Sequence, residues 1–543
     1  MHANNRILLT IVFIPLLICC KKTKSTGSVT PASNTFLHRS GNKIVNADGS
    51  TVLLKGIAFG NEVWSDKEIP NTHHQEADFQ RVKDMNMNVI RFYINYKTFE
   101  NDNNPFQYKQ NGWNWIDQNI AWAKKYGISL IINMHVPQGG FQSQGNGDAL
   151  WNGPANQDRL VGLWKAIANK YKDEKQIAGF GLVNEPVPPS SIQQWKQLAQ
   201  RITNEIRTVD KNHLLFVEKA IYVKGVNGED ADLNFPLTTD DNTAYEFHIY
   251  DPFLFTHQLF SWAGLGEGGK YPDENSISYT NGTWYTATFN NPSPAAGNSD
   301  WTFYEGVKYK ITDPKIKIGL PALVGANVAG KIFFDDIVIK EFDASGNFVQ
   351  DIKSELLDDT NGWNYWSSNN TGTAGLAQTG NSNNKSIYIE GSTSDCNMSN
   401  YSKLFIPKQN YYYQVNGWMK GENISASANC KLRIDFITTN DPLYGRNKQL
   451  LEATLKRLVD WGNAKNVPLY MGEFGAGIHC FQNNKGGLQW VTDMIDIAIA
   501  NNLHFTYHTY HEDSFGLYYG YGALPDPAQV NQPLIDLFKA KLK

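Results

Sequence analysis

The chain has 543 residues, too many for one ordinary hydrophobic core, so a large domain with at least one more is expected. A formal net charge of −4 with only 19% charged residues excludes the basic surface that nucleic-acid binding requires. Aromatic residues reach 13%, with 15 Trp and 26 Tyr, a supply that serves either a large core or surfaces that stack on sugar rings.

The N-terminus, "RILLTIVFIPLLICCKK", has a basic start, a short apolar run and then Cys19 and Cys20. The run is too short for a comfortable membrane span and has the proportions of a secretory signal. Ending on cysteine, it resembles a bacterial lipoprotein signal over residues 1–19 with lipidation at Cys20, although Cys19 stands where a Gly, Ala or Ser is usual. Residues 20–35 read as a flexible polar tether. The expectation is an exported protein held at the outer membrane or cell surface by lipid, with no spanning helix in the mature chain.

From residue 36, "FLHRSGNKIVNADGSTVLLKG" predicts a hairpin with an Asp48-Gly49 turn feeding a first buried strand. Further buried strands are predicted at "NVIRFYI", "ISLIINMH", "IAGFGLVN", "HLLFVEK" and "AYEFHIY". Amphipathic helices alternate with them; in "NWIDQNIAWAKKYG", Trp115, Ile116, Ile120 and Ala123 share one stripe and a glycine closes the helix. Over residues 271–438 the helical period disappears, and short alternating segments such as "KIFFDDIVIKEF" and "KLRIDFIT" predict an all-β sandwich. Residues 439–543 return to helix and strand, with strands at "VPLYMGEF" and "LHFTYHTY". With residues 36–270 this makes about eight strand and helix pairs. The predicted fold is therefore a (β/α)8 TIM barrel with a β-sandwich inserted between strand 6 and strand 7.

Strand 4 runs into Asn184, Glu185 and Pro186, and strand 7 into Glu473. Two carboxylates at strand ends of one barrel can face each other across its mouth, the arrangement by which a glycosidic bond is cleaved with retention. Taken singly, each could instead pair with a helix N-terminus or a cation. Other strand ends add Arg91, His135, His248 and Tyr250. An Arg beside a carboxylate favours its ionised form, as a nucleophile requires, and a Tyr hydroxyl can hold it in place.

"NVIRF", "INMH", "LVNEP", "FHIY" and "MGEFG", in this order, resemble glycoside hydrolase family 5, a retaining clan A family, and "HIYDPFLFTHQ" is similar to its cellulase-type members. The resemblance covers residues 36–270 and 439–543. It implies that Glu185 is the acid/base and Glu473 the nucleophile, and that Asn184 binds the sugar 2-hydroxyl. It implies further that Arg91 and Tyr250 support Glu473, and that His135 and His248 line the cleaved-sugar subsite. The family usually carries a tryptophan platform at the end of strand 8; here "HFTYHTYHED" has Phe505 and His508 in its place, which leaves sugar identity and endo or exo action open.

The insert resembles carbohydrate-binding jelly rolls in "GKIFFDDIVI", "DDTNGWNYWSSNNTG" and "YYYQVNGWMKG", with the last strand coming first, as in a circular permutation. Trp363, Trp366, Tyr412 and Trp418 could form a stacking face or a core. Asp335 and Asp336 suggest a structural calcium site but fall short of a ligand set. Of the remaining cysteines, Cys396 and Cys430 are the expected pair and Cys480 a buried thiol. The sequence thus predicts a monomeric, lipid-anchored hydrolase of β-1,4-glucan that needs no cofactor or catalytic metal. Mannan and xyloglucan are the alternative substrates, and a non-catalytic glycan-binding lipoprotein is the rival of another class.

Overall fold

A computed structural model describes residues 36–65, 67–285, 291–369 and 371–543. The signal, Cys20 and tether expected over residues 1–35 lie outside the described residues.

Eight parallel strands close into a barrel: β1 (Lys55–Phe59), β2 (Val89–Asn95), β3 (Ser129–Val136), β4 (Ile177–Gly181), β5 (Leu214–Glu218), β6 (Thr243–Ile249), β7 (Leu469–Phe474) and β8 (His504–Tyr507). Each strand's period of two sends alternate side chains inward. At the base of the interior, Val89, Ile131, Ala178, Leu214, Phe216, Ala244 and Tyr470 pack on Ile44 and Leu54. Ile44 belongs to a hairpin, His38–Ser40 with Lys43–Val45, that seals this end. Two residues further along β2 and β6 the interior turns charged, at Arg91 and Glu246, and two further still Tyr93 and His248 line the mouth. The opposite faces, among them Ile90, Phe92, Leu130 and Ile132, pack on the surrounding helices.

Those helices are amphipathic. Ile192–Arg207 buries Trp195, Leu198, Ala199, Ile202 and Ile206, and Ser191 with Gln194 forms a capping box at its start. Helices follow β1 to β4, and Lys448–Lys465, Gly487–Ala500 and Gln532–Lys541 complete the ring. Between β5 and β6 no helix forms; residues 219–242 run as turns, with Gly225 and Gly228 at positive φ and Pro236 breaking any helical run.

The sandwich interrupts the chain between β6 and β7, as its sequence predicts. Its stem is a two-stranded ribbon in which Tyr444–Arg446 pairs antiparallel with Asp273–Ser278. One sheet has five strands and the other seven, antiparallel throughout, around Leu323, Ile332, Phe334, Ile387, Tyr413, Met419, Leu432 and Phe436. The four aromatics are dispersed: Trp363 lies in this core, Trp366 is 54% exposed, Tyr412 lies under the Lys310 ammonium, and Trp418 packs beside Phe303. Asp335 and Asp336 serve a turn, accepting the Asn381 N–H at 2.6 Å and the Ser382 hydroxyl at 2.9 Å respectively.

The expected Cys396–Cys430 bridge is corrected by the register. Strand Ile316–Ala326 lies between the strands that carry them, with Gly325 opposite Cys430 and Val324 opposite Asn397. Two strand spacings, about 10 Å, exceed disulfide reach. Cys396, Cys430 and Cys480 are all free and buried.

Candidate active site

Glu473 sits on β7 in the barrel mouth, nearly buried. Arg91 Nη1 and the Tyr93 hydroxyl both donate to its Oε1 at 2.6 Å, and the Tyr250 hydroxyl donates to Oε2 at 2.7 Å. Burial and the nearby carboxylate raise both tyrosines well above their ordinary range, so they remain donors. Burial alone would also raise Glu473. His248, His508 and Arg91 outweigh it and hold the carboxyl well below the usual range, so it is ionised. Gly472 makes room for this arrangement, because a Cβ there would collide with the Glu246 carboxylate that pairs with Arg91 Nε at 2.8 Å.

Glu185 lies beyond the end of β4 rather than within it. The Asn184 N–H bonds to Met134 O at 2.9 Å and prolongs the pairing with β3, and Glu185 then turns with φ +45°. This left-handed conformation is uncommon outside glycine. It is held by Glu218 Oε2, which accepts the Glu185 N–H at 2.9 Å. Trp164 and Trp195 pin the neighbouring backbone by donating to Leu182 O and Glu218 O at 2.9 and 2.8 Å.

His248 stands between the two carboxylates, its Nδ1 2.8 Å from Glu185 Oε1 and 3.4 Å from Glu473 Oε2. Those oxygens are therefore no more than about 6 Å apart. This distance admits the retaining separation of about 5–5.5 Å and falls short of the inverting range of about 6.5–9.5 Å. Burial works against a charge on His248, but Glu218 and Glu473 push the imidazole well above its ordinary range. Asn184 accepts from Arg91 Nη2 at 2.9 Å, so its amide is aimed into the same space. His135 stacks on Tyr93 with ring centres 3.9 Å apart, and burial drives it well below the ordinary range, leaving it neutral.

The structure thus brings together Arg91, His135, Asn184, Glu185, His248, Tyr250, Glu473 and His508. Phe505 does not join them; it points outward against Phe474, and the nearly buried His508 follows the end of β8. Sequence reasoning missed Tyr93, Glu218 and Glu246. Tyr93 is two residues from Arg91 and Glu246 two from His248, so the period of two would have found both. Glu218 ends a buried apolar strand, much as Glu473 does. Burial, with Glu246 and Glu185 beside it, raises Glu218 well above the carboxylate range.

Two runs of aromatic contacts lead away from the residues around Glu473. In one, Trp64, 47% exposed, meets His135 and Phe141 edge-on beside a cavity of about 670 Å³ that Asn95, Gly140 and Asn156 also line. In the second, Tyr250 leads to His257 and then to the exposed Trp262, whose Nε1 donates to Ser514 Oγ at 3.3 Å. Glu185, Glu218 and His248 offer atoms within 4.8 Å of one another, a spacing that suits a cation. A metal ion there would have to displace the proton that these carboxylates hold on His248.

Residues 45–293 match the family described as Cellulase (glycosyl hydrolase family 5). The chain is 32% identical to Endoglucanase C of Acetivibrio thermocellus over 212 residues, 38% of this chain and 60% of that protein. It is 29% identical to a Beta-xylosidase of Phanerodontia chrysosporium over 261 residues, 40% of this chain and 53% of that protein. It is 26% identical to Cellodextrinase A of Ruminococcus flavefaciens over 272 residues, 48% of this chain and 76% of that protein. The chain therefore spans about 60% of the length of the endoglucanase it matches.

Proposed function

On the premise that the chain belongs to glycosyl hydrolase family 5, we propose that it is a retaining glycoside hydrolase of β-linked glucan, with Glu473 as nucleophile and Glu185 as acid/base. The observation that carries this reading is the pair of carboxylate oxygens reached by one nitrogen of His248, at 2.8 and 3.4 Å. In the first step Glu473 attacks the anomeric carbon while Glu185 gives its proton to the departing glycosidic oxygen. In the second, Glu185 takes a proton from water, which displaces the sugar from Glu473. Arg91, Tyr93 and Tyr250 hold the nucleophile ionised and aimed, and Asn184 is placed to bond the sugar hydroxyl beside the reacting carbon. Water and two carboxylates supply the chemistry.

A β-1,4-glucan is the preferred substrate, since Endoglucanase C and Cellodextrinase A are among the relatives; mannan and xyloglucan are the alternatives. The exposed rings of Trp64 and Trp262, each linked to the site through aromatic contacts, support binding of several sugar units. We further propose that the chain is exported, anchored through a lipid on Cys20, and works as a monomer. Replacing Cys20 with Ala is then expected to release it from the membrane fraction.

The test is hydrolysis of carboxymethyl-cellulose, mixed-linkage glucan, xyloglucan, glucomannan and mannan by the chain lacking residues 1–22, with products sized over time and their anomeric form followed. Retained configuration is expected. Glu185→Ala is expected to lose about 10²–10⁴-fold in turnover on glucan. It should lose far less on an aryl glycoside, whose leaving group needs no proton. Glu473→Ala is expected to lose turnover on both with the fold intact. A non-catalytic glycan-binding protein predicts no turnover to lose, and inverted products would sink the proposed mechanism.

A further inference from the structure

His508 stands where the barrel's relatives in the family resemblance carry a tryptophan, and it is not passive. Its Nδ1 lies 3.0 Å from the Tyr93 hydroxyl and its Nε2 3.5 Å from Glu512 Oε1. Tyr93 has one proton, and the carboxylate of Glu473, 2.6 Å away, can only accept it. The tyrosine oxygen must then accept from His508 Nδ1–H. Glu512 Oε1, within ion-pair reach of the other nitrogen, favours a second proton there and with it a positive charge on the ring.

We propose that His508 is a positioning residue for the nucleophile: as an imidazolium braced by Glu512, it orients and polarises the Tyr93 hydroxyl toward Glu473. This rests on the reading of Glu473 as nucleophile. The groups facing His508 are Glu473 from β7, Arg91 and Tyr93 from β2, His135 from β3, Tyr250 and His257 from β6 and its loop, and Glu512 from its own loop. Burial and Arg91 oppose its charge, and the carboxylates of Glu473 and Glu512 prevail, raising it above the ordinary imidazole range. The charge is lost as pH rises through that raised value. A tryptophan at this site would give sugar an apolar face and the nucleophile no charge.

The experiment combines pH profiles of kcat/KM with a proton NMR titration of the His508 ring. His508→Gln is expected to move the acid limb, where Glu473 gains its proton, upward by about one pH unit, because one cation beside the carboxylate is gone. Glu512→Gln is expected to lower the His508 titration, and Tyr93→Phe to lower kcat with little change in KM. A purely structural role would depress kcat/KM in His508→Gln at every pH without moving either limb, and that result overturns the proposal. If the wild-type chain hydrolyses none of the glucans, the proposed function fails. The NMR arm still decides on His508: titration below about 6.5, unmoved by Glu512→Gln, overturns it.

Discussion

Arg91 shows how one side chain can organise a site. Fully buried on β2, it pairs with Glu246 at 2.8 Å and Glu473 at 2.6 Å, reaches Glu218 at 3.7 Å and donates to Asn184. Removing it would leave buried carboxylates unpaired, which costs about 3–5 kcal/mol. Arg91→Met is expected to lower the free energy of unfolding, measured in urea, by that order and to raise the acid limb of kcat/KM, since Glu473 loses a cation that holds it ionised. An unchanged acid limb would mean that the histidines alone set its charge. The eight candidate residues were legible because most fall near or just past a strand end, seven of them in motifs of the family resemblance and His508 where that motif is broken. Tyr93 and Glu246 were passed over although the period of two placed them on the same inward row. Their partners belong to other strands, and a single strand does not reveal what it faces.

At the scale of elements, the joint between β1 and its helix depends on a neutral histidine. His74 precedes the helix Glu76–Asp84, bonds Asn119 of the next helix at 2.6 Å, and lies among Phe59, Phe79, Phe92 and Trp122. Burial pushes it down to about 4. Because the unfolded chain binds that proton at about 6.5 and the native chain does not, stability falls as pH drops from 6.5 toward 4. The loss attributable to His74 is about 3 kcal/mol. His74→Gln is expected to flatten that part of a stability-versus-pH curve, measured by urea unfolding; an equally steep fall would place the proton uptake elsewhere. The barrel strands were all legible as buried runs with turn residues at their ends. The missing helix between β5 and β6 was not expected, because counting pairs assumed a helix where Gly225, Gly228 and Pro236 forbid one.

For the whole molecule, the paired stem has a consequence for autonomy. Ser278 lies opposite Tyr444, so the two ends of the insert meet as the arms of a hairpin. Replacing residues 279–443 with an Asn-Gly turn is expected to leave the barrel's cooperative melting transition in calorimetry and to remove that of the sandwich. Loss of both transitions would mean that the barrel needs its guest. The sandwich does touch the mouth side: Asn361 Oδ1 accepts the Glu267 N–H at 3.1 Å, in the loop that also carries Trp262. Hydrolysis of long chains is therefore expected to suffer more than that of short ones. By itself the sequence determined the barrel, the place of the insertion and the residues at the strand ends, because burial periodicity and turn chemistry are local signals. Only the tertiary structure decided that Cys396 and Cys430 stand two strands apart, that the sandwich aromatics part company, that Phe505 turns away while His508 joins Glu473, and how near the two carboxylates come. Each of these depends on strand register and barrel closure, which bring together residues hundreds of positions apart, and no local pattern encodes that distance.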